Sequence, residues 1–434
     1  MKVAMVTPMA PESAIADVMM QAIPELSTKW DLEVWCPAEA NQRPCPVPVT
    51  QFSEADADVL STLSDFDLVL YVLGDSPWHS RILLLARRLP GLAVVHDASL
   101  TNLVRTTAIA QGELESLIRR VEEAHGSSAA EIMRTAAPPG GRDAWLRFCA
   151  DVPLDDYALH GSLGAVVHSR WHARRVDGLL LGDVTVAPLP VPSSRIGFDM
   201  DESADARRLL EDLPDDAVLL VTVGMVNANR CIDLLLRAIG DDPVLAARVH
   251  LWSVGPAEEG ARAHLVGIAG SLDIEDHFAV CGRVSDSFLQ AILTRADIAA
   301  ALRDPVLEGQ SASALTQMLS GTPLLVYNHA HYAELPDAGT VKIDPGAGVH
   351  GIRAALRGLV DDPAERARRG ERARDYVLTS RSGAMYANAL ITAGQRALAA
   401  KPAAHLSADV GARLRRLGLA EHPVVMDAVT DLAF

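Results

Sequence analysis

The stretch Ile298-Ala299-Ala300-Ala301-Leu302-Arg303-Asp304-Pro305-Val306-Leu307-Glu308-Gly309-Gln310-Ser311, continuing through Ala312-Ser313-Ala314-Leu315-Thr316-Gln317-Met318-Leu319 to Ser320-Gly321-Thr322-Pro323, decides how the chain is read. The apolar run 298–302 predicts a buried strand. Ser311 is a natural N-cap; Leu315, Met318 and Leu319 fall at helical spacing; Gly321 with Pro323 is a stop signal. Residues 324–327 then open the next strand. A small-residue loop that ends on a helix N-terminus at the carboxyl edge of a parallel sheet suits an anionic ligand, because free N–H groups and the helix dipole point outward there. Glu308 complicates this, since a carboxylate repels phosphate. Either it faces a neutral, hydroxyl-bearing part of the ligand, or it only offsets the helix dipole, an effect of about 0.3–1 kcal/mol.

Working outward, the same strand and helix alternation runs along all 434 residues. Residues 3–7 predict a buried strand, followed by a loop and a helix over 14–28. Strands follow at 32–35, 68–73 and 92–95, with a helix over 82–89 between the last two. From 98 to about 156 the pattern is helical and more polar, broken at Pro138-Pro139-Gly140-Gly141, which predicts a helical insertion. Strands resume at 163–168 and 184–187. Pro188-Leu189-Pro190-Val191-Pro192 is a stiff extended linker and marks a domain boundary. A second alternating half has strands at 218–223, 249–254, 278–281, 298–302 and 324–327, and Pro363 is well placed to open a helical tail. The fold class is α/β with two doubly wound halves.

Composition narrows the function. A net charge of −17 argues against nucleic acid or an anionic membrane as the main partner, both of which need a broad basic surface. The five cysteines lack C-x-x-C or Cys/His ligand spacing, which fits a reducing, cytoplasmic setting and no structural metal. No export signal and no membrane-spanning run is expected. The first turn has no G-x-G-x-x-G, which argues against a dinucleotide-dependent oxidoreductase. Phosphate-loop, H-E-x-x-H and EF-hand patterns are missing, and Gly309-Gln310-Ser311-Ala312-Ser313 fails the nucleophile elbow at its last position. No cofactor is expected.

Glu308-Gly309-x-Ser311, a helix, and Gly321-Thr322-Pro323 before an apolar strand resemble the donor-site segment of the family 4 retaining glycosyltransferases, whose fold is called GT-B. Glu308, Gly321 and Pro323 hold that family's register, while its second acid is replaced by Thr316. Other stretches resemble the family too. Ser13-Ala14-Ile15-Ala16-Asp17 is similar to an acceptor loop that carries glycine where this chain has Ala14. Leu73-Gly74-Asp75 with His79, and then His96-Asp97, resemble the first-domain cleft wall. Val223-Gly224-Met225-Val226-Asn227 with Arg230 is similar to the diphosphate loop, keeping one of its two cations and placing Met225 where the other stands. Cys281-Gly282-Arg283-Val284-Ser285 resembles the turn beside the nucleobase.

The resemblance implies two Rossmann-like domains facing a central cleft: an acceptor domain over 1–192, a nucleotide-sugar domain over 193–380, and helices over 381–434 that cross back. It implies a retaining, metal-independent transferase moving a sugar from a GDP- or UDP-sugar, with a slight lean to GDP. The acid-rich chain without a membrane segment points to a small polar acceptor, and the departures at Ala14, Met225 and Thr316 suggest altered substrates, as in specialised-metabolite chemistry such as antibiotic biosynthesis. His96, Asp97, Glu308 and Arg230 would act at the reacting centre. Gly224, Met225, Asn227, Arg283, Val284, Gly309, Gln310, Ser311 and Thr316 would hold the donor, and Ser13, Ala14, Asp17, Gly74, His79 and His96 the acceptor. From the residues alone, without that register, Arg230 reads first as a solvated arginine opening a helix. A non-catalytic nucleotide-sugar or partner-binding protein, or another GT-B enzyme such as an epimerase, is the alternative. The oligomeric state is open, with a homodimer as one arrangement.

Overall fold

The computed structural model describes residues 1–11, 13–38, 42–53, 56, 58–191 and 210–419. Pro192, the boundary that follows it and the end of the tail lie outside them.

Strands β1 (Lys2–Val6), β2 (Asp31–Pro37), β3 (Val49–Phe52), β4 (Leu68–Leu73), β5 (Leu92–Val95), β6 (Gly164–Val167) and β7 (Val184–Val186) make one sheet in the order β3-β2-β1-β4-β5-β6-β7. Strands β8 (Val218–Val223), β9 (Val249–Val254), β10 (Phe278–Gly282), β11 (Ile298–Ala300), β12 (Leu324–Tyr327) and β13 (Thr340–Ile343) make the second, in the order β10-β9-β8-β11-β12-β13. Every pairing in both is parallel. Strands β4 and β8 are buried at every residue, as expected where helices cover both faces of a parallel sheet. This is why their sequences are unbroken apolar runs. In each sheet the order reverses between two central strands, β1 and β4 in the first, β8 and β11 in the second. The loops leaving the carboxyl ends of such strands form a ligand crevice.

The sequence reading differs from the structure mainly at the sheet edges. Strands β3 and β13 were not anticipated; each pairs on one side only and is partly exposed, so neither is a continuous apolar run. The strand expected over 298–302 ends at Ala300, although Ala301 N–H still bonds Leu325 O at 2.9 Å. The helix expected over 82–89 spans Ser80–Ala86. The insertion is five helices, Thr101–Ala110, Leu114–His125, Ser127–Thr135, Gly141–Asp151 and Asp155–Leu159, with the Pro-Pro-Gly-Gly break between the third and fourth.

Helix Pro363–Ser380 starts where proline suggested, capped by the Asp362 side chain on Glu365 N–H at 2.9 Å. Helix Gly383–Arg416 returns to the first domain and packs on helix Ala14–Lys29. Tyr386, Leu390 and Ala397 enter the same apolar cluster as Met19, Ile23 and Leu26, and so do Leu315 and Met318 of the second domain. One core thus runs through both halves.

Leu390 is fully buried there. Leu390→Ala should lower stability by about 2–5 kcal/mol, read as a shift of the urea midpoint. No measurable shift would show that the returning helix is not anchored on the first domain.

Candidate active site

The two crevices meet through a short antiparallel bridge pairing Asp97 with Glu308. Ala98 N–H donates to Leu307 O at 2.7 Å, and Gly309 N–H donates to His96 O at 2.8 Å. Gly309 is needed here for space. A Cβ on it would stand 2.5 Å from His172 Nδ1 and 2.9 Å from His96 O. Farther out, the Glu334 carboxylate accepts Trp171 N–H at 2.5 Å and Arg170 N–H at 3.0 Å, so a second-domain side chain caps a first-domain helix.

Glu308 sits beside this bridge. Tyr332 Oη donates to its Oε1 at 2.8 Å, Arg303 Nε lies 3.4 Å from the same oxygen, and His331 Nε2 lies 3.7 Å away. Burial acts to raise its pKa, but His331, Arg303 and Tyr332 outweigh burial and hold the carboxyl well below the usual range. Glu308 is therefore ionised, with Oε1 occupied by these three groups. These partners, rather than the helix dipole alone, account for its position.

A cavity of about 300 Å³ opens in front of it, walled by Asp97, Asn229, Arg230, Arg303, Glu308 and the Ser311–Ser313 turn, among others. Ser311 caps helix Ala312–Leu319, its Oγ accepting Ala314 N–H at 3.3 Å. Arg230 is not a solvated helix residue. It is only 9% exposed, its Nη1 donates to Val223 O, and its Nε is buried without a partner. Burial, and then the neighbouring Arg303, push its pKa down to about 9, so it keeps its proton at neutral pH. Two buried cations beside a helix N-terminus form a site short of negative charge. Gly224 makes room for Arg230: its φ is +120°, and a Cβ there would fall 1.9 Å from Arg230 Nη2.

On the first domain, burial holds the histidines neutral: His79 and His168 are both pushed down to about 4, and His96 lies well below its ordinary value. His168 Nδ1 is 3.2 Å from Ala187 O, and His168 Nε2 is 3.1 Å from His96 Nδ1. A carbonyl only accepts, so His168 carries its proton on Nδ1 and His96 donates from its own Nδ1. His96 Nε2 is then a lone-pair acceptor, buried and unpartnered. His79 Nδ1 donates to Val72 O at 2.8 Å. Asp97 accepts Asp75 N–H at 2.7 Å, and burial, the largest influence on it, raises its carboxyl to about 7. Asp75, raised by burial to about 6, accepts Leu103 N–H and Asn102 Nδ2 and so ties the strand end to the insertion.

The remaining expected residues scatter around this centre. Asn227 lines the cavity with its Oδ1 buried and unpartnered. Gln310 lines it too, and its Oε1 accepts from Arg381 at 2.8 Å and from Leu189 N–H at 3.4 Å, which ties it to the crossover. Ala14, Asp17 and Thr316 line an adjoining cavity of about 170 Å³ that shares Ala312 and Ser313. Thr316 Oγ1 donates to Ala312 O at 3.0 Å, and Asp17 is paired with Arg43. Ser13 caps the helix behind Ala14, accepting Ala16 N–H at 3.2 Å. Gly74 is approached closely by Ile15, His79 and Asp97. Met225 is half exposed and Arg283 exposed; neither they nor Val284 line these cavities. Arg303, Asn229, His331 and Tyr332 were not singled out from the sequence as site residues. Only Arg303 carried a signal, as a cation at the end of an apolar strand five residues before Glu308.

Two doubly wound domains with a polar, cation-lined cleft define the GT-B class. Residues 217–362 match the family model described as glycosyl transferases group 1. No curated protein matches the chain. Among solved structures, sucrose-phosphate synthase from Thermosynechococcus elongatus is similar with a TM-score of 0.61 at 14% identity, over 92% of this chain and 99% of that one. WaaG, a glycosyltransferase involved in lipopolysaccharide biosynthesis, gives 0.58 at 16% identity, over 91% and 99%. HepE from Anabaena in complex with UDP gives 0.59 at 13% identity, over 94% and 100%. The fold is thus that of the GT-B glycosyltransferases, and the second domain carries the group 1 signature. No helix among the described residues is long and apolar enough to cross a membrane, and no group of three or more His, Cys, Asp or Glu is placed to hold a metal ion.

Asp97 generates a pH test. Its carboxyl is raised from 3.8 to about 7, so in that window the folded chain keeps a proton that the unfolded chain has released. Its contribution to stability is full below about 4 and is lost as pH rises through about 7. The stability of the wild type relative to Asp97→Asn should therefore fall across that range in urea melts. A flat or rising difference would sink the protonated state.

Proposed function

We propose that the chain is a retaining glycosyltransferase that moves a sugar from a nucleoside diphosphate to a small polar acceptor. The observation that carries this is the presence, in one cavity, of Arg230 without a carboxylate partner beside the Arg303–Glu308 ion pair. Opposite charges side by side suit a ligand with an anionic and a hydroxylated half. Arg230, Arg303 and the helix N-terminus at Ser311 face the diphosphate, while Glu308 Oε2 accepts from sugar hydroxyls. The two guanidiniums and the helix N–H groups stabilise charge that grows on the departing phosphate.

Retention follows by front-face attack. The acceptor oxygen bonds to the anomeric carbon, the carbon–phosphate oxygen bond breaks with its electron pair going to the diphosphate, and the acceptor proton passes to a phosphate oxygen. No protein nucleophile and no metal is assigned. His96 Nε2 accepts a hydroxyl hydrogen at the donor–acceptor junction, and Asp97, protonated near neutral pH, adds a donor there. Thr316, whose hydroxyl is tied to its own helix, holds the ribose less firmly than a second acid would.

Isothermal calorimetry against GDP and UDP tests the reading. One nucleotide should bind in the micromolar range, and Arg230→Ala should weaken it about tenfold or more, the loss of a charge-assisted contact. Glu308→Ala should leave nucleotide binding nearly intact but abolish turnover. A folded protein that binds neither nucleotide would point instead to a non-catalytic relative of these enzymes.

A further inference from the structure

A cavity larger than the one at Glu308 lies outside the cleft just described. It encloses about 570 Å³, within the range of small-molecule sites, between insertion helix Gly141–Asp151 and second-domain helices Ile232–Gly240 and Glu259–Ser271. Two ion pairs join the domains at its walls: Arg142 with Glu258, and Arg147 with Asp304 at 3.5 Å. Its apolar floor includes Val226, Ile232 and Leu265. Asn227 is the residue its wall shares with the donor cavity, and the Asn227 Oδ1 is buried there without a partner.

We propose that this cavity is a second small-molecule site, which takes an amine-bearing, polyhydroxylated ligand. Its shape and lining set the class. An apolar floor under a polar rim suits a sugar or cyclitol ring, whose C–H face and hydroxyl edge match both. Charge selects the amine. The two arginines are each neutralised by a carboxylate, whereas Asp143 and Asp233 also line the cavity with no ion pair among the described residues. The surplus is negative, so a phosphate or carboxylate is disfavoured. A metal ion is not the partner these groups fit, because no such grouping occurs among the described residues.

Occupancy also bears on the donor cavity. The loop that forms this wall, residues 226–231, carries Asn229 and Arg230 to the other side, and it is stapled to the Glu308 loop by Asp304 N–H to Asn229 O at 2.9 Å and Asn229 Nδ2 to Pro305 O at 3.0 Å. A ligand on one face stiffens the loop that grips phosphate on the other. Linkage then requires that nucleotide and ligand change each other's affinity by the same factor.

The test uses three matched probes on the full chain, glucosamine, glucose and glucose 6-phosphate, titrated by ligand-observed NMR. Binding is read without turnover, so the outcome is separate from whether the chain transfers a sugar. Glucosamine should bind about tenfold tighter than glucose, the worth of one charged hydrogen bond, and glucose 6-phosphate weakest. Asp233→Asn should remove the amine preference and leave glucose affinity unchanged, with Asp143→Asn as a second variant should the first fail to fold. Glu308→Ala should leave the preference intact. The proposal is overturned if glucose 6-phosphate binds as well as glucosamine, if none of the three binds, or if the amine preference survives both aspartate changes or disappears with Glu308→Ala, which would place the amine in the donor cavity.

Discussion

Two backbone hydrogen bonds, Ala98 N–H to Leu307 O and Gly309 N–H to His96 O, hold the halves of this protein in register. They are formed by loops that each leave the carboxyl end of a central strand, so they connect the two crevices at the point where chemistry would occur. Neither loop is stable in that shape alone, because a buried backbone polar group needs a partner. Each supplies the other's. The bridge sets His96, Asp97 and Glu308 side by side, and the absence of a side chain at Gly309 is what permits the approach.

Around this bridge, burial controls charge. His79, His96 and His168 are kept neutral, Asp97 and Asp75 are held partly protonated near neutral pH, and Glu308 alone stays firmly ionised because Tyr332, Arg303 and His331 converge on one of its oxygens. The same burial leaves Arg230 charged with an unpaired Nε. A buried cation without a carboxylate of its own is costly in an empty protein and favourable once a ligand of complementary charge is bound. The glycines at 224 and 309 serve the same end, one giving room to the guanidinium and the other to the bridge.

Much of this was legible in the residues. Ser311 is the cap that its hydroxyl suggested, the central strands are the apolar runs, and the proline at 363 opens its helix. Edge strands β3 and β13 were not legible, because one exposed face removes the continuous apolar signal. Met225 and Arg283, picked out by position in a motif, face outward, while Arg303 and Asn229 turn inward. Spacing along a loop does not say which way a side chain turns when the loop is shaped by contacts with a distant one.

By itself, the sequence determined the alternating pattern, the two-domain architecture and the segments that end at the cleft, since these depend on local propensity and on the periodicity of burial. The tertiary structure alone decided the tautomer of His96, the ionisation of Glu308 and Asp97, the burial of Arg230 and the cavity behind Asn227. Those properties depend on which groups from distant parts of the chain come within a few ångströms, and on how much water is left between them.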